Sequence, residues 1–246
     1  MKYNIISLIK VRNEQSIILD TLIYLSKLSD GIVILDDKST DNTLRIIKKY
    51  KKILNILKII EIKKWSKKNR SLLETVHRQI LLNNGRKYKP KWFIYHDADE
   101  RIENPENLKS FLLKNINSYF DGIKINLFDA YITKNDYKPI RMNNNLINFR
   151  KYFGPEIRKI VMIFKNKSYI NFKGIDSRES AGMKKIIETN FYCQIMVKLY
   201  LLMSGKIHVI IILNTFHNIL KNGKKEKEKL FIYNQILKIH YLNGIR

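Results

Sequence analysis

Residues 6–43 read ISLIKVRNEQSIILDTLIYLSKLSDGIVILDDKSTDNT, and the fold class follows from them. An apolar run of strand length, Tyr3 to Ile9, leads into the stretch. Ser16 to Leu28 then places Ile17, Ile18, Leu22, Leu25 and Leu28 near helical spacing. Gly31 to Leu35 is a second buried strand, and it ends in the acidic pair Asp36–Asp37. Strand, helix and strand in this order predict an α/β domain with a mostly parallel sheet.

The alternation continues downstream. Thr40 to Tyr50 reads as a helix that Ser39 or Thr40 can cap, and Ile56 to Ile62 as a third strand. Ser71 to Leu82 reads as a third helix. Trp92 to Tyr95 is a fourth strand, running straight into His96-Asp97-Ala98-Asp99-Glu100. The second half is less regular. Asp121 to Phe128 and Lys159 to Phe164 read as strands, Tyr131 to Asn145 as a polar loop, and Lys184 to Met203 as a helix. Ile207 to Leu213 is a β-branched run ending near His217, and Lys224 to Tyr241 a basic amphipathic helix. There is no internal repeat and no Pro- or Gly-rich linker.

Composition narrows the function. The chain has 246 residues, 45% of them hydrophobic and 11% aromatic, which is enough apolar surface for a globular core. The single cysteine, Cys193, excludes a disulfide framework, an iron–sulfur site and a cysteine-built zinc site, and is expected in the core. No apolar run reaches the roughly 18 residues of a spanning helix, and Met1 to Leu8 lacks the apolar stretch of a signal peptide. A soluble cytoplasmic protein is expected. With 47 Lys plus Arg against 22 Asp plus Glu, the net charge is +25. Such a balance favours nucleic acid, an anionic membrane surface or a phosphate-bearing substrate as partner. Ile, Lys and Asn dominate the sequence, as an AT-rich coding sequence would also make them, so charge does not choose among these.

In open α/β sheets ligands collect beyond the carboxyl ends of the strands, and three of the early strands end in reactive groups. The first is followed by Lys10-Val11-Arg12-Asn13-Glu14, the second by Asp36-Asp37-Lys38-Ser39-Thr40-Asp41, the fourth by Asp97-Ala98-Asp99. The first loop has no Gly-x-Gly-x-x-Gly, and no Gly-x-x-x-x-Gly-Lys-Ser/Thr occurs, which argues against a dinucleotide fold and a P-loop. Asp97 and Asp99, two carboxylates just past a strand, suit a hard divalent ion bridging a diphosphate. Asp36 and Asp37 fit either a strand-to-helix turn or an acceptor for a base N–H or ribose hydroxyl.

Together these residues resemble family 2 glycosyltransferases of the GT-A fold. Asp36-Asp37-Lys38-Ser39-Thr40-Asp41-Asn42-Thr43, Trp92 to Glu100 (WFIYHDADE) and Asn69-Arg70 are similar to the family's motifs in order and spacing, over roughly the first 105 residues. The resemblance implies that Val11, Asn13 and Glu14 line a nucleotide pocket and that Asp36 or Asp37 contacts base and ribose. It places Arg70 at the diphosphate, and Asp97 and Asp99 at a metal–diphosphate with Mn²⁺ or Mg²⁺. The reaction implied is inverting sugar transfer from a nucleotide-diphosphate sugar to a glycan or lipid-linked hydroxyl acceptor. Phe172-Lys173-Gly174 and Arg178-Glu179 are similar, more loosely, to a segment that commonly ends Gly-x-x-His-Glu. Here Ser177-Arg178 precedes Glu179, and the histidine is absent.

The catalytic base expected is Glu179, with Asp176 behind it; a solvated turn with an Asp–Arg contact reads equally well from the same residues. His217 is either a further metal ligand or a packed histidine. His96 points away from Asp97 by strand alternation and is expected in the core or behind the site. The domain expected is 1–222, with 1–128 binding the nucleotide-sugar and 129–222 the acceptor, followed by a basic amphipathic helix over 223–246. That helix either packs on the domain or makes weak contact with the anionic inner face of the membrane. The alternative function is a metal-dependent nuclease or nucleotidyltransferase, which accounts for the charge but not for the Asp36–Asp37 loop; under the favoured reading no nucleic acid partner is expected.

Overall fold

A computed structural model of the chain describes residues 3–64, 70–130, 153–174 and 178–195. The chain divides into two compact units, Met1–Asp129 with Pro155–Ile195, and Ala130–Gly154 with Met196–Arg246. Nearly all described residues lie in the first. Asp176, His217, the side chain of Arg70, the Tyr131–Asn145 loop, the Ile207–Leu213 run and the basic tail lie outside them.

In chain order the elements are β1 (Ile5–Val11), α1 (Ile18–Leu28), β2 (Gly31–Asp36), α2 (Thr43–Tyr50), β3 (Ile56–Glu61), α3 (Arg70–Arg86), β4 (Trp92–His96), β5 (Glu100–Ile102), α4 (Pro105–Lys114), β6 (Gly122–Ala130), β7 (Phe153–Lys165) and β8 (Ile186–Ile195). The strands form one sheet in the order β3-β2-β1-β4-β7-β6-β8-β5. β3, β2, β1 and β4 run parallel to their neighbours, whereas β7 joins β4 antiparallel. β6 and β8 are parallel, and β5 closes the edge antiparallel to β8. The α/β class and the predominance of parallel pairing are as expected.

β1, β2 and β4 are legible as apolar runs because helices cover that part of the sheet on both faces. Ile6, Leu8, Val33, Leu35, Phe93 and Tyr95 pack with Leu81 and Leu82 of α3 and with Phe164 and Phe172. The alternate residues Ile5, Ile9, Ile32, Ile34 and Ile94 are equally buried on the other face. Gly85 lies inside α3 because the helix comes close to the sheet: a Cβ there would stand 2.7 Å from Phe93 and 2.9 Å from Leu8. Among the described residues no helix is long and apolar enough to cross a membrane.

Three expectations need correction. Lys184 to Met203 does not begin as a helix: β8 occupies Ile186–Ile195. Ile187, Thr189, Phe191, Cys193 and Ile195 turn inward and Glu188, Asn190 and Tyr192 outward, a period of two that overrides the helix-like spacing of the apolar residues. α2 starts at Thr43 with Asn42 as N-cap, not at Ser39 or Thr40, because the hydroxyls and amides of that turn bind a neighbouring loop instead. β5 and α4 are additional elements. α4 begins at Asn104-Pro105, with Pro pre-set for the first helical turn.

Candidate active site

β1 and β4 are neighbours whose outgoing connections run to opposite sides of the sheet, to β2 and to β5, which opens a crevice at their carboxyl ends. The register pairs Val11 with Asp36 and Ile9 with His96, which brings the Arg12–Gln15, Asp37–Asn42 and Asp97–Asp99 segments to one edge.

The first two segments are laced together. The backbone N–H of Asn13 donates to Ser39 Oγ at 3.0 Å, that of Glu14 to Thr43 Oγ1 at 2.7 Å, and that of Gln15 to Asp41 Oδ2 at 3.2 Å. In return Thr40 N–H donates to Asn13 Oδ1 at 2.7 Å, and Asn42 N–H to Gln15 Oε1 at 3.1 Å. The Ser, Thr, Asp and Asn residues of the motif are thus the fasteners of the crevice wall. Val11 is buried at its base and accepts the N–H of Asp37 at 2.9 Å.

Asp36 and Asp37 are both buried. Asp36 Oδ2 accepts the N–H of Ser39 at 3.0 Å, the turn role foreseen for this pair. Asp37 stands in a group of charges: Lys10 Nζ is 3.5 Å and His77 Nδ1 3.8 Å from its carboxylate, and Arg12 donates to its carbonyl at 3.2 Å. Lys10 also pairs with Glu74, and Arg78 lies 3.8 Å from Glu74 and donates to Tyr95 Oη at 3.1 Å. Sequence reasoning assigned no role to Glu74, His77 or Arg78. Their spacing of three and four residues, a polar strip on one helix face, was the available signal.

The turn after β4 is built differently. Glu100 Oε2 accepts the N–H of Asp97 at 2.9 Å, and Glu100 N–H donates back to the Asp97 carbonyl at 3.3 Å. Arg101, fully buried, donates to the carbonyls of Ala98 at 3.0 Å and Glu100 at 2.8 Å, and to Asp20 at 2.7 Å and Thr21 at 2.8 Å on α1. This arginine, absent from the sequence reading, fastens the Asp97-Ala98-Asp99 turn to the first helix. Arg178 comes from the far side, 3.6 Å from Asp97 and in contact with Glu100, which brings the chain next to Glu179 against the turn. His96 is buried in the core against Tyr24, as expected. Burial, then Arg101, pushes it down to about 3, so it stays neutral.

Negative charge is in excess here. Glu14 is pushed up to about 8 by burial, then by Asp99, Asp97 and Asp41, and its Oε2 has no hydrogen-bond partner among the described residues. Asp99 is pushed up to about 6 by burial and by Asp97. Each shift marks carboxylates that repel one another in a poorly solvated crevice. A divalent cation fits that chemistry. Among the described residues no three His, Cys, Asp or Glu side chains gather closely enough to cage an ion, but Mg²⁺ and Mn²⁺ need only one or two carboxylates when a diphosphate and water complete the shell.

The fold is shared with known structures. The chain superposes on the S. aureus TarS 1–349 structure in complex with UDP with a TM-score of 0.51 and 19% identity, over 98% of this chain and 72% of that one. A longer S. aureus TarS structure gives 0.52 and 18%, over 98% of this chain and 44% of that one. A mannosyltransferase from Pyrobaculum calidifontis in complex with GDP-Man and Mn²⁺ overlaps 51% of this chain and 36% of its own at 15% identity and a TM-score of 0.38, too slight a likeness to carry any argument. No protein-family model matches the sequence, and no curated protein does. The fold is the GT-A glycosyltransferase fold, shared at low sequence identity.

Proposed function

We propose that this protein is a glycosyltransferase, moving a sugar from a nucleotide-diphosphate sugar to a hydroxyl acceptor with inversion at the anomeric carbon. One observation carries the reading: Glu14, Asp97 and Asp99, from two strand ends, share one field at the topological switch point, and two of them are driven well above the carboxylate range. Such an excess of negative charge is what a cation-bridged diphosphate relieves.

On this reading the wall formed by Val11, Asn13 and Glu14 faces the nucleotide, and Asp36 and Asp37 sit beside base and ribose. Asp37 is held by Lys10 and His77, so that its carboxylate is oriented before the ligand arrives. Arg70, at the start of α3, faces the diphosphate. Asp97 and Asp99 hold Mn²⁺ or Mg²⁺, which when bound stabilises the charge of the departing diphosphate; His217 is a further ligand. Glu179, with Asp176 behind it, takes the proton of the acceptor hydroxyl as the oxygen attacks. Its neighbour Arg178 touches Asp97, which supports placing the base close to the reacting carbon. Residues 1–128 serve the donor and 129–222 the acceptor, a glycan or lipid-linked hydroxyl. The basic segment 223–246, read as an amphipathic helix, either packs on the domain or makes weak contact with an anionic membrane surface.

TarS has been captured with UDP, so uridine nucleotides are the first donors to test. Calorimetry of UDP and GDP with Mn²⁺, against wild type and Asp99→Asn, tests the assignment. Binding by the wild type, lost together with sugar transfer in a folded Asp99→Asn, is the expected result. Near-wild-type transfer by that variant refutes it.

A further inference from the structure

Arg178 stands where the similar segment of family 2 enzymes commonly carries a histidine, and the structure shows what the arginine does. Its Nη1 lies 3.6 Å from Asp97 Oδ2, and its Nη2 contacts the carboxylate of Glu100. Glu100 is buried, with 2% of its side chain exposed, whereas Asp97 is open at 36%. The Arg178 side chain is 27% exposed, and its Nη2 is buried where it meets Glu100. Arg101 is locked by Asp20, Thr21 and two carbonyls. Arg178 meets the turn through the carboxylates of Asp97 and Glu100, and it is the cation placed to move.

We propose that Arg178 is a built-in counter-cation of the Asp97–Glu100 turn, which partly offsets its charge while the site is empty and transfers to the diphosphate when a nucleotide arrives. A diphosphate gives a guanidinium a better, forked acceptor than a shared carboxylate. Its arrival draws Arg178 off Asp97 and frees that carboxylate for a divalent ion. Ion and nucleotide therefore bind as a pair, and the ion alone binds poorly because it has to compete with a tethered positive charge. This rests on the reading of Asp97 and Asp99 as ion ligands.

The test is Mn²⁺ binding followed by electron paramagnetic resonance, with and without saturating UDP or GDP, on wild type, Arg178→Gln and Arg178→Lys. For the wild type, Mn²⁺ alone should bind at least tenfold more weakly than with the nucleotide that binds. Arg178→Gln should bind Mn²⁺ alone about tenfold more tightly than wild type and lose most of the nucleotide enhancement. Arg178→Lys, which keeps the charge, should stay close to wild type without nucleotide. Equal affinity of wild type and a folded Arg178→Gln for Mn²⁺ alone, with UDP or GDP still tightening it, overturns this proposal and leaves the ion site standing. Should Arg178→Gln not fold, a wild-type affinity that neither nucleotide changes overturns it instead. Absence of Mn²⁺ binding under every condition overturns the ion site and this proposal together.

Discussion

The protein carries two acid pairs at strand ends, and the two are built to opposite plans. Asp36 and Asp37 are buried, and the second is met by Lys10 and His77 before any ligand binds. Asp97 and Asp99 are more open, and with Glu14 they leave a surplus of negative charge, so that burial and repulsion by neighbouring carboxylates raise the titration points of Glu14 and Asp99. In the first pair Asp37 is compensated by Lys10 and Asp36 is tied into the turn by the Ser39 N–H, so both contribute to the fold. The second is under-compensated, so the empty protein bears a cost that a cationic ligand removes. Proximity of two acids in sequence therefore says nothing by itself about which plan applies; the cations brought up from elsewhere decide.

The sharpest way to break this comparison is through the arginine that shapes the second turn. Arg101→Met should destabilise the protein by about 4 kcal/mol, since it leaves Asp20 unpaired and strips two buried carbonyls; urea unfolding checks it. Asp37→Ala should cost about 3 kcal/mol, because it removes one partner from a buried group of charges. It should also weaken nucleotide binding, which calorimetry measures.

The second acid group should respond with the opposite sign. A carboxyl that titrates higher folded than unfolded adds nothing unfavourable below its unfolded value, where both states are protonated. Its cost grows as pH rises towards the folded value and is constant above it. Glu14→Gln should therefore raise the stability of the ligand-free protein by about 2 kcal/mol at pH 8, the gain appearing between its ordinary carboxylate range and pH 8 and vanishing at pH 4. Asp99→Asn should do the same by about 1 kcal/mol, with the gain complete near pH 7. Melting temperatures across pH 4 to 9 decide both. If either variant melts lower than wild type at pH 8, the second acid group is compensated after all and the contrast between the pairs is lost.

Legibility in the sequence followed burial. β1, β2 and β4 lie under helices on both faces, so each is a plain apolar run, and the acids beyond them stand out. β8 has one open face, and its polar residues alternate with apolar ones of mixed size, which a helical spacing fits nearly as well. β5 is three residues, Glu100-Arg101-Ile102, all buried. A glutamate and an arginine are read as surface residues unless their partners are known, and those partners are Arg178 and Asp20. The same holds for Glu74, His77 and Arg78, whose face of α3 has meaning only once Asp37 and Tyr95 lie opposite.

The α/β alternation, the parallel first half of the sheet and the acids at three strand ends can all be read from the chain alone. Each of these depends on period and adjacency, which are properties of a short stretch of chain. Which acids meet a cation is set by the folded arrangement. Lys10 meets Glu74 across 64 positions, and Arg178 reaches Asp97 from the far end of the unit. Charge compensation falls off with distance through space, and no local pattern in the chain records that distance.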